Sequence, residues 1–323
     1  MHQHILRNLL QQELIEPEDA EKIALFEEKK PFSLHWELKT LLYIGVLLLN
    51  VGLGFLIYEH IDSIGHVALI ALIGAISAAC FWYAIQHRRP FTMGKVDSPT
   101  PYYDYILLLG CLTFLIMEGY WQYQYQIFGT RYGLATFIPM VLFFGLAYGL
   151  DNRGVLSLGI TALASWLGVT VSLQDLLSKN DLNSTVLVQT GVFLSALLAV
   201  IPFVSERYGL KKHFSLTYLN FGVHIGMISC LSGMMLLDQK AIYFPLLCAA
   251  VGFFLWYART RGSFYFFTVA VVYGYIGVTY MLISFTSRMN FDFMFYLFYF
   301  ILSCVGVILF LTNYKNFIKT DAP

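Results

Sequence analysis

Of the 20 acidic and 20 basic residues in this 323-residue chain, Glu118 alone falls inside a long apolar stretch. A carboxylate in hydrocarbon is costly, so an acid there marks a polar pathway, a paired site, or the end of a span where it meets water. Glu118 stands four residues before the expected end of its stretch at Gln122, about 6 Å of helix rise. Two readings stay open: a residue of the outer interface, or a proton or cation site open to the outer side. The run that follows, Gly119-Tyr120-Trp121-Gln122-Tyr123-Gln124-Tyr125-Gln126, alternates aromatic and amide side chains. Such a run serves as an interfacial aromatic belt, or as the lining of a vestibule for a sugar or lipid headgroup.

Four uncharged polar residues join Glu118 as candidates for a shared polar interior: Asn50, Gln189, Asn220 and His224. Side chains of these types hydrogen-bond neighbouring helices, and in a transporter they also touch the substrate. Asn220 and His224, four apart, share a helix face. Gly222, Gly226, Ser229 and Gly233 fall at i, i+4, i+7 and i+11, one stripe of small residues along which a second helix packs closely.

Other chemistry finds little footing. Cys80, Cys111, Cys230, Cys248 and Cys304 lie within apolar stretches without paired spacing, which suggests neither a disulfide nor a zinc site. His60 and His66 beside Glu59 and Asp62 have metal-ligand residue types, but across a short turn whose geometry the spacing does not prescribe. There is no Walker A sequence, G-x-S-x-G elbow or H-E-x-x-H helix. Gly154-Val155-Leu156-Ser157 has the outline of an intramembrane serine site and lacks a histidine partner. No catalytic residue, metal or cofactor is therefore assigned.

The elements that must position these residues follow from composition. The chain is 58% hydrophobic, 17% aromatic and only 12% charged, with mean hydropathy +0.65. An ordinary soluble domain carries about 25% charged residues, so a water-facing globule of this size lacks half of its solvating surface. This is a membrane protein. Net charge is zero and no basic block stands out, which makes nucleic acid a poor partner. Spans of about 20 apolar residues are needed to cross the bilayer. Ten are read, over 40–58, 64–86, 105–122, 132–150, 154–173, 186–204, 215–237, 241–258, 263–285 and 293–312. They lack two-residue alternation, so an all-α polytopic bundle is expected rather than a barrel.

Counting Lys and Arg segment by segment from the N-terminus gives 5, 0, 3, 1, 1, 1, 3, 1, 2, 1, 2. With both termini inside, 16 fall on the cytoplasmic side and 4 outside, the asymmetry expected of an inner-membrane protein. Residues 1–39 hold no apolar run and form a cytosolic piece, 40–312 the bundle, and 313–323 a cytosolic tail. In the N-terminal piece, Ile5, Leu6, Leu9, Leu10 and Leu14 recur at helical spacing, and Pro17 opens a second amphipathic helix with Glu18, Asp19 and Glu21 in its first turn. A hairpin this short buries too little surface to stand alone. Its net charge of −3 disfavours an anionic leaflet, so docking on protein, its own bundle or a partner, is expected.

Arg153, Arg207 and Arg261 are spaced by 54 and 54, and aromatic residues precede arginines at several span ends. A tandem array of helical hairpins produces this spacing, and so does the length of two spans plus two short turns. Two inverted halves of five spans are also permitted, without a residue match between them.

The order "LLQQELIEPEDAEKI" (Leu9 to Ile23), then His35-Trp36 and "LLYIGVLLLNVGLGFLIY" (Leu41 to Tyr58), resembles an uncharacterised family of bacterial polytopic membrane proteins over about the first 85 residues. The resemblance implies a bacterial inner membrane and carries over no functional residue. Three function classes follow: transport or translocation of a small solute or lipid without ATP, a membrane scaffold or sensor whose N-terminal hairpin binds a partner, and an intramembrane enzyme.

Overall fold

In hydrocarbon the backbone must satisfy its own hydrogen bonds. The computed structural model, which describes residues 35–129, 131–179, 185–287 and 293–312, is helical in all of its regular structure there. It has two compact units, residues 1–53 and 54–323. Among the described residues, ten α-helices run in order: α1 (His35–Ile64), α2 (His66–Gln86), α3 (Tyr103–Tyr125), α4 (Tyr132–Leu150), α5 (Arg153–Lys179), α6 (Thr185–Tyr208), α7 (Ser215–Met235), α8 (Lys240–Arg261), α9 (Phe264–Thr286) and α10 (Phe293–Thr312). Each overlaps an expected span, although α1 begins at His35, within the expected cytosolic piece, and ends at Ile64, and α5 runs on to Lys179, well past the expected 40–58 and 154–173. Eight are long and apolar enough to cross a membrane; α5 falls outside that set, and α10 contributes a shorter apolar helix, Met294–Phe310. The hairpin expected over residues 1–39 lies, through residue 34, outside the described residues, as does the tail 313–323.

The first unit is represented by the N-terminal part of α1. Its leucines are largely exposed, as Leu41, Leu47 and Leu48 show. That suits a helix whose surroundings are lipid. α1 has 30 residues, about 45 Å of rise, so it outreaches the roughly 30 Å hydrocarbon layer.

In the second unit, consecutive helices pair as antiparallel hairpins, α2 with α3, α4 with α5, α6 with α7 and α8 with α9. Their turns all fall at one end of the helices, here called the loop end. Three of the four turns start with the same backbone device. Amides of Asn152, Leu210 and Ser263 donate to the carbonyls of Ala147, Ser205 and Ala258 at 3.1, 3.1 and 3.0 Å. The intervening Asp151, Gly209 and Gly262 are left-handed, at φ 58°, 71° and 66°. This six-to-one closure satisfies a terminal carbonyl that the helix cannot pair itself. The evenly spaced arginines do not share a place in it. Arg153 opens α5, Arg207 is one residue from the end of α6, and Arg261 ends α8. The recurrence is in the caps, not in the arginine spacing.

α7 is the most enclosed of the spans. One side of it, through Val223, Met227, Cys230 and Met234, packs with Tyr243, Leu247 and Phe254 of α8 and Phe266 and Ala270 of α9. A second core joins Leu107 and Cys111 of α3, Phe143 of α4, Leu156 and Ile160 of α5, Leu194 and Leu198 of α6, and Tyr218 of α7. Dispersion and close fit, rather than exclusion from water, hold such helices together in lipid.

Candidate functional site

Glu118 lies on the face of α3 that also carries Leu107, Cys111 and Phe114, and only 4% of it is exposed. α3 continues to Tyr125, beyond the expected end at Gln122, so Glu118 stands a full seven residues inside the helix. Its Oε1 is buried and has no hydrogen-bond partner among the described residues. Oxygen atoms in such a position carry the full desolvation cost, about 1–3 kcal/mol for a neutral group and more for a charge.

The aromatic and amide run divides. Gln122, one turn beyond Glu118, is buried and closes the end of its own helix: its Oε1 accepts the Phe128 amide at 2.9 Å and its Nε2 donates to the Gly129 carbonyl at 3.2 Å. Tyr123 is 80% exposed, and Gln124 and Gln126 are exposed with it. Tyr120 turns toward α2, where its hydroxyl lies 2.6 Å from Nδ1 of His66.

Asn50 belongs to the first unit, where its amide donates to the Val46 carbonyl at 2.7 Å. Gln189 sits on an exposed face of α6. Asn220 and His224 are brought together, with two partners that sequence reading missed. Tyr265 donates its hydroxyl to Asn220 Oδ1 and lies 2.8 Å from Nε2 of His224, while the Tyr273 hydroxyl is 3.0 Å from Nδ1. The direction of the Tyr265 bond leaves its oxygen as acceptor, which places the His224 proton on Nε2 and makes Nδ1 the acceptor for Tyr273. The result is one directional hydrogen-bonded chain from α9 to α7 and back.

The small-residue stripe of α7 meets α6 over much of its length. A Cβ on Gly222 would stand 3.4 Å from the backbone oxygen of Ser195 and 3.5 Å from the Ala199 nitrogen. One on Gly226 would collide with the Ser195 side chain, whose hydroxyl donates to the Gly222 carbonyl at 2.8 Å. Ser229 occupies the matching place against Gly191, and Gly233 faces the ring of Tyr243 on α8.

A further polar cluster, unread in the sequence, occupies the loop end. Lys211 is 1% exposed and its Nζ lies 3.3 Å from Asp151 Oδ2, whose side chain is 3% exposed. Oδ1 of the same carboxylate is 2.5 Å from Nε2 of His213, and Oδ2 also accepts the Val96 amide. Lys211 in turn donates its backbone amide to Met93 at 2.8 Å and its ammonium to Gly94 at 3.3 Å, above the Phe91 ring. Asn152 next door donates to Asp104 at 2.8 Å and caps α5 by accepting the Val155 amide at 2.9 Å. Ser98 donates to the other oxygen of Asp104 at 2.6 Å. The loop joining α2 to α3 is thus latched onto two other helix corners. Lys95, 2.9 Å from Asp97, holds that carboxyl below the usual range through their hydrogen bond and its charge. The only signals of this cluster in the sequence are an Asp-Asn pair at a turn, residue types that tolerate left-handed backbone and cap helices, and a lysine two residues before a histidine.

No curated protein and no solved structure matches the chain. The likeness seen in the first 85 residues extends further: residues 7–156 match the family described as "Predicted membrane protein (DUF2157)", a domain of unknown function.

Proposed function

We propose that the protein is a non-ATP-driven carrier in which a proton or a monovalent cation, taken up by Glu118, is coupled to movement of a small solute or lipid. The supporting observation is the carboxyl itself, enclosed in a helix with an oxygen that has no hydrogen-bond partner among the described residues. A bare carboxylate there is costly, so the group carries its own proton or accepts an entering cation. Access is short on one side, since Tyr125 ends the helix seven residues on, about 10 Å away. In this reading ten helices span a bacterial inner membrane with both termini cytoplasmic, which the 16-to-4 division of Lys and Arg supports. The loop end is then the cytoplasmic one.

A second reading has its own support. Gln189 is exposed, Asn220 and His224 are taken up by Tyr265 and Tyr273, and the loop end is tied together by Asp151 and Lys211. A scaffold or sensor whose residues 1–39 dock on protein fits that arrangement. Deleting residues 1–30 separates the two, because a carrier keeps ion movement and a scaffold loses its partner.

The direct test uses the full chain in liposomes enclosing a pH-sensitive dye, with proton, sodium or potassium gradients imposed in turn. Wild type should move one of these ions, and Glu118→Gln should lose at least tenfold of that flux while keeping its helical circular dichroism. A hydrophobic carbodiimide should label Glu118 in the wild type. No flux from wild-type protein, or equal flux from the variant, overturns the proposal.

A further inference from the structure

Helices α3 and α4 are joined by the six residues 126–131, so they run antiparallel from a shared end. Eleven residues from that end on each helix, the rings of Phe114 and Phe143 meet edge to face at 6.3 Å. Between these two fixed points, seven residues from Tyr125 and seven from Tyr132, stand Glu118 and Pro139, both buried. Glu118 is one turn from Phe114 and Pro139 one turn from Phe143, so each shares the face of its aromatic neighbour. The carboxyl and the proline are thus at one height on facing sides. A proline inside a helix has no amide hydrogen, and the carbonyl four residues earlier loses its partner. In α4 that carbonyl belongs to Ala135, and a helix carbonyl points along the axis toward the residue four on. Its oxygen is therefore directed toward the level of Pro139 and Glu118.

A carbonyl freed by proline is tolerated in a membrane helix where a neighbouring helix supplies a donor. The group opposite is a carboxyl whose own Oε1 has no hydrogen-bond partner among the described residues, and it can donate only when protonated. The geometry points to a proton-binding site in which Glu118 carries a hydrogen on Oε1 and donates it to the Ala135 carbonyl that Pro139 frees. This rests on the reading of Glu118 as the coupling group and names the coupling ion. The side-chain donors one turn farther out are engaged, Thr136 with the Gly133 carbonyl at 3.0 Å and Gln122 with that of Gly129. No cationic side chain stands at this height on the packed helices. The titratable groups of α4 are Tyr132 and Tyr148 near its ends, α5 has none between Arg153 and Asp175, and on α2 His66 faces Tyr120 while Cys80 and Tyr83 lie toward the loop end. A dehydrated metal cation needs a ring of oxygens in place of its water shell, whereas Phe114, Leu115 and Leu142 pack around Phe143 here. A proton needs only the two oxygens. Uptake adds one hydrogen to the carboxylate and neutralises it; release passes that hydrogen to water at the Tyr125 end and leaves both oxygens unanswered, a costly state that favours recapture.

The test is infrared spectroscopy of the full chain in liposomes at neutral pH, each protein recorded against its Glu118→Gln counterpart. Wild type should show the C=O stretch of one protonated carboxyl. In Pro139→Ala, which gives α4 back the amide that Ala135 bonds, this stretch should shift to higher frequency as its hydrogen bond is lost. Pro245→Ala, at an exposed proline inside α8, should leave it in place. Pro139→Gly restores the same amide and replaces Pro139→Ala if that variant lacks the wild-type circular dichroism. Absence of the protonated band, its replacement by a carboxylate band on adding sodium or potassium, or an unmoved band in the Pro139 variant overturns the proposal. Ion flux measured on the same liposomes keeps the two readings apart. A shifted band without flux removes the carrier and supports this site, whereas flux with an unmoved band removes the site and leaves the carrier.

Discussion

Replacing Asp151 by alanine removes the carboxylate that answers Lys211, His213 and the Val96 amide at once. The Lys211 ammonium, 1% exposed, would keep only the Gly94 carbonyl and the Phe91 ring. Breaking a buried ion pair from one side costs about 3–5 kcal/mol, because the remaining charge stays in a poor solvent. Lys211→Met is milder. It keeps the apolar stem over Phe91 and leaves Asp151 with two donors, so the loss is that of one charge-assisted bond, about 1.5–3 kcal/mol. If the two changes were independent, the double variant would lose about 4.5–8 kcal/mol. Without its ammonium there is no orphaned charge, so the double variant should be no less stable than Asp151→Ala alone, with a coupling of at least about 1.5–3 kcal/mol. The assay is reversible unfolding in mixed detergent micelles followed by circular dichroism. A local readout accompanies it: trypsin cleavage at Lys95 should accelerate on the order of a hundredfold in Asp151→Ala, as the loop's opening cost falls by about 3 kcal/mol. Single variants within 0.5 kcal/mol of wild type, or additive losses, would refute the latch.

Three further outcomes follow. Gly222→Leu or Gly226→Leu should drive α6 from α7 and destabilise the protein by about 1–3 kcal/mol or more, whereas Gly252→Leu, with open space around it, should be near neutral in the same unfolding assay. Nitrogen NMR of labelled protein at neutral pH should find the His224 proton on Nε2, and Tyr265→Phe should shift that nitrogen more than Nδ1; a proton on Nδ1 contradicts the chain of bonds. Reporter fusions at Asp62, Lys179 and Lys240 should read external, and those at Lys95, Lys211 and the C-terminus internal, with a cytoplasmic signal at Lys179 refuting the ten-span topology.

The helices were legible because bilayer thickness sets a length that apolar runs display directly. The boundaries of α4 and α10 are those expected, and those of α2 and α9 differ by one or two residues. Ends carrying polar side chains were less legible. α3 runs three residues past the expected Gln122 because that amide is satisfied by the following turn, so a polar residue did not mean water. The same effect sets Glu118 deeper than its sequence position suggested. Lys211, counted in the sequence only as one of the positive residues of a short loop, is instead almost completely enclosed together with Asp151.

From sequence alone, the scarcity of charge settles the solvent, and the recurrence of long apolar runs settles an all-helical bundle. Those are properties of each segment by itself, since every span must close its own hydrogen bonds. Which polar groups meet depends on which helices and loops are neighbours. Asp151 and Lys211 are 60 residues apart, and His224 and Tyr273 are separated by 49. Only packing brings them within bonding distance, and only packing decides that Glu118 is enclosed with an unanswered oxygen while Tyr123, five residues later, faces outward.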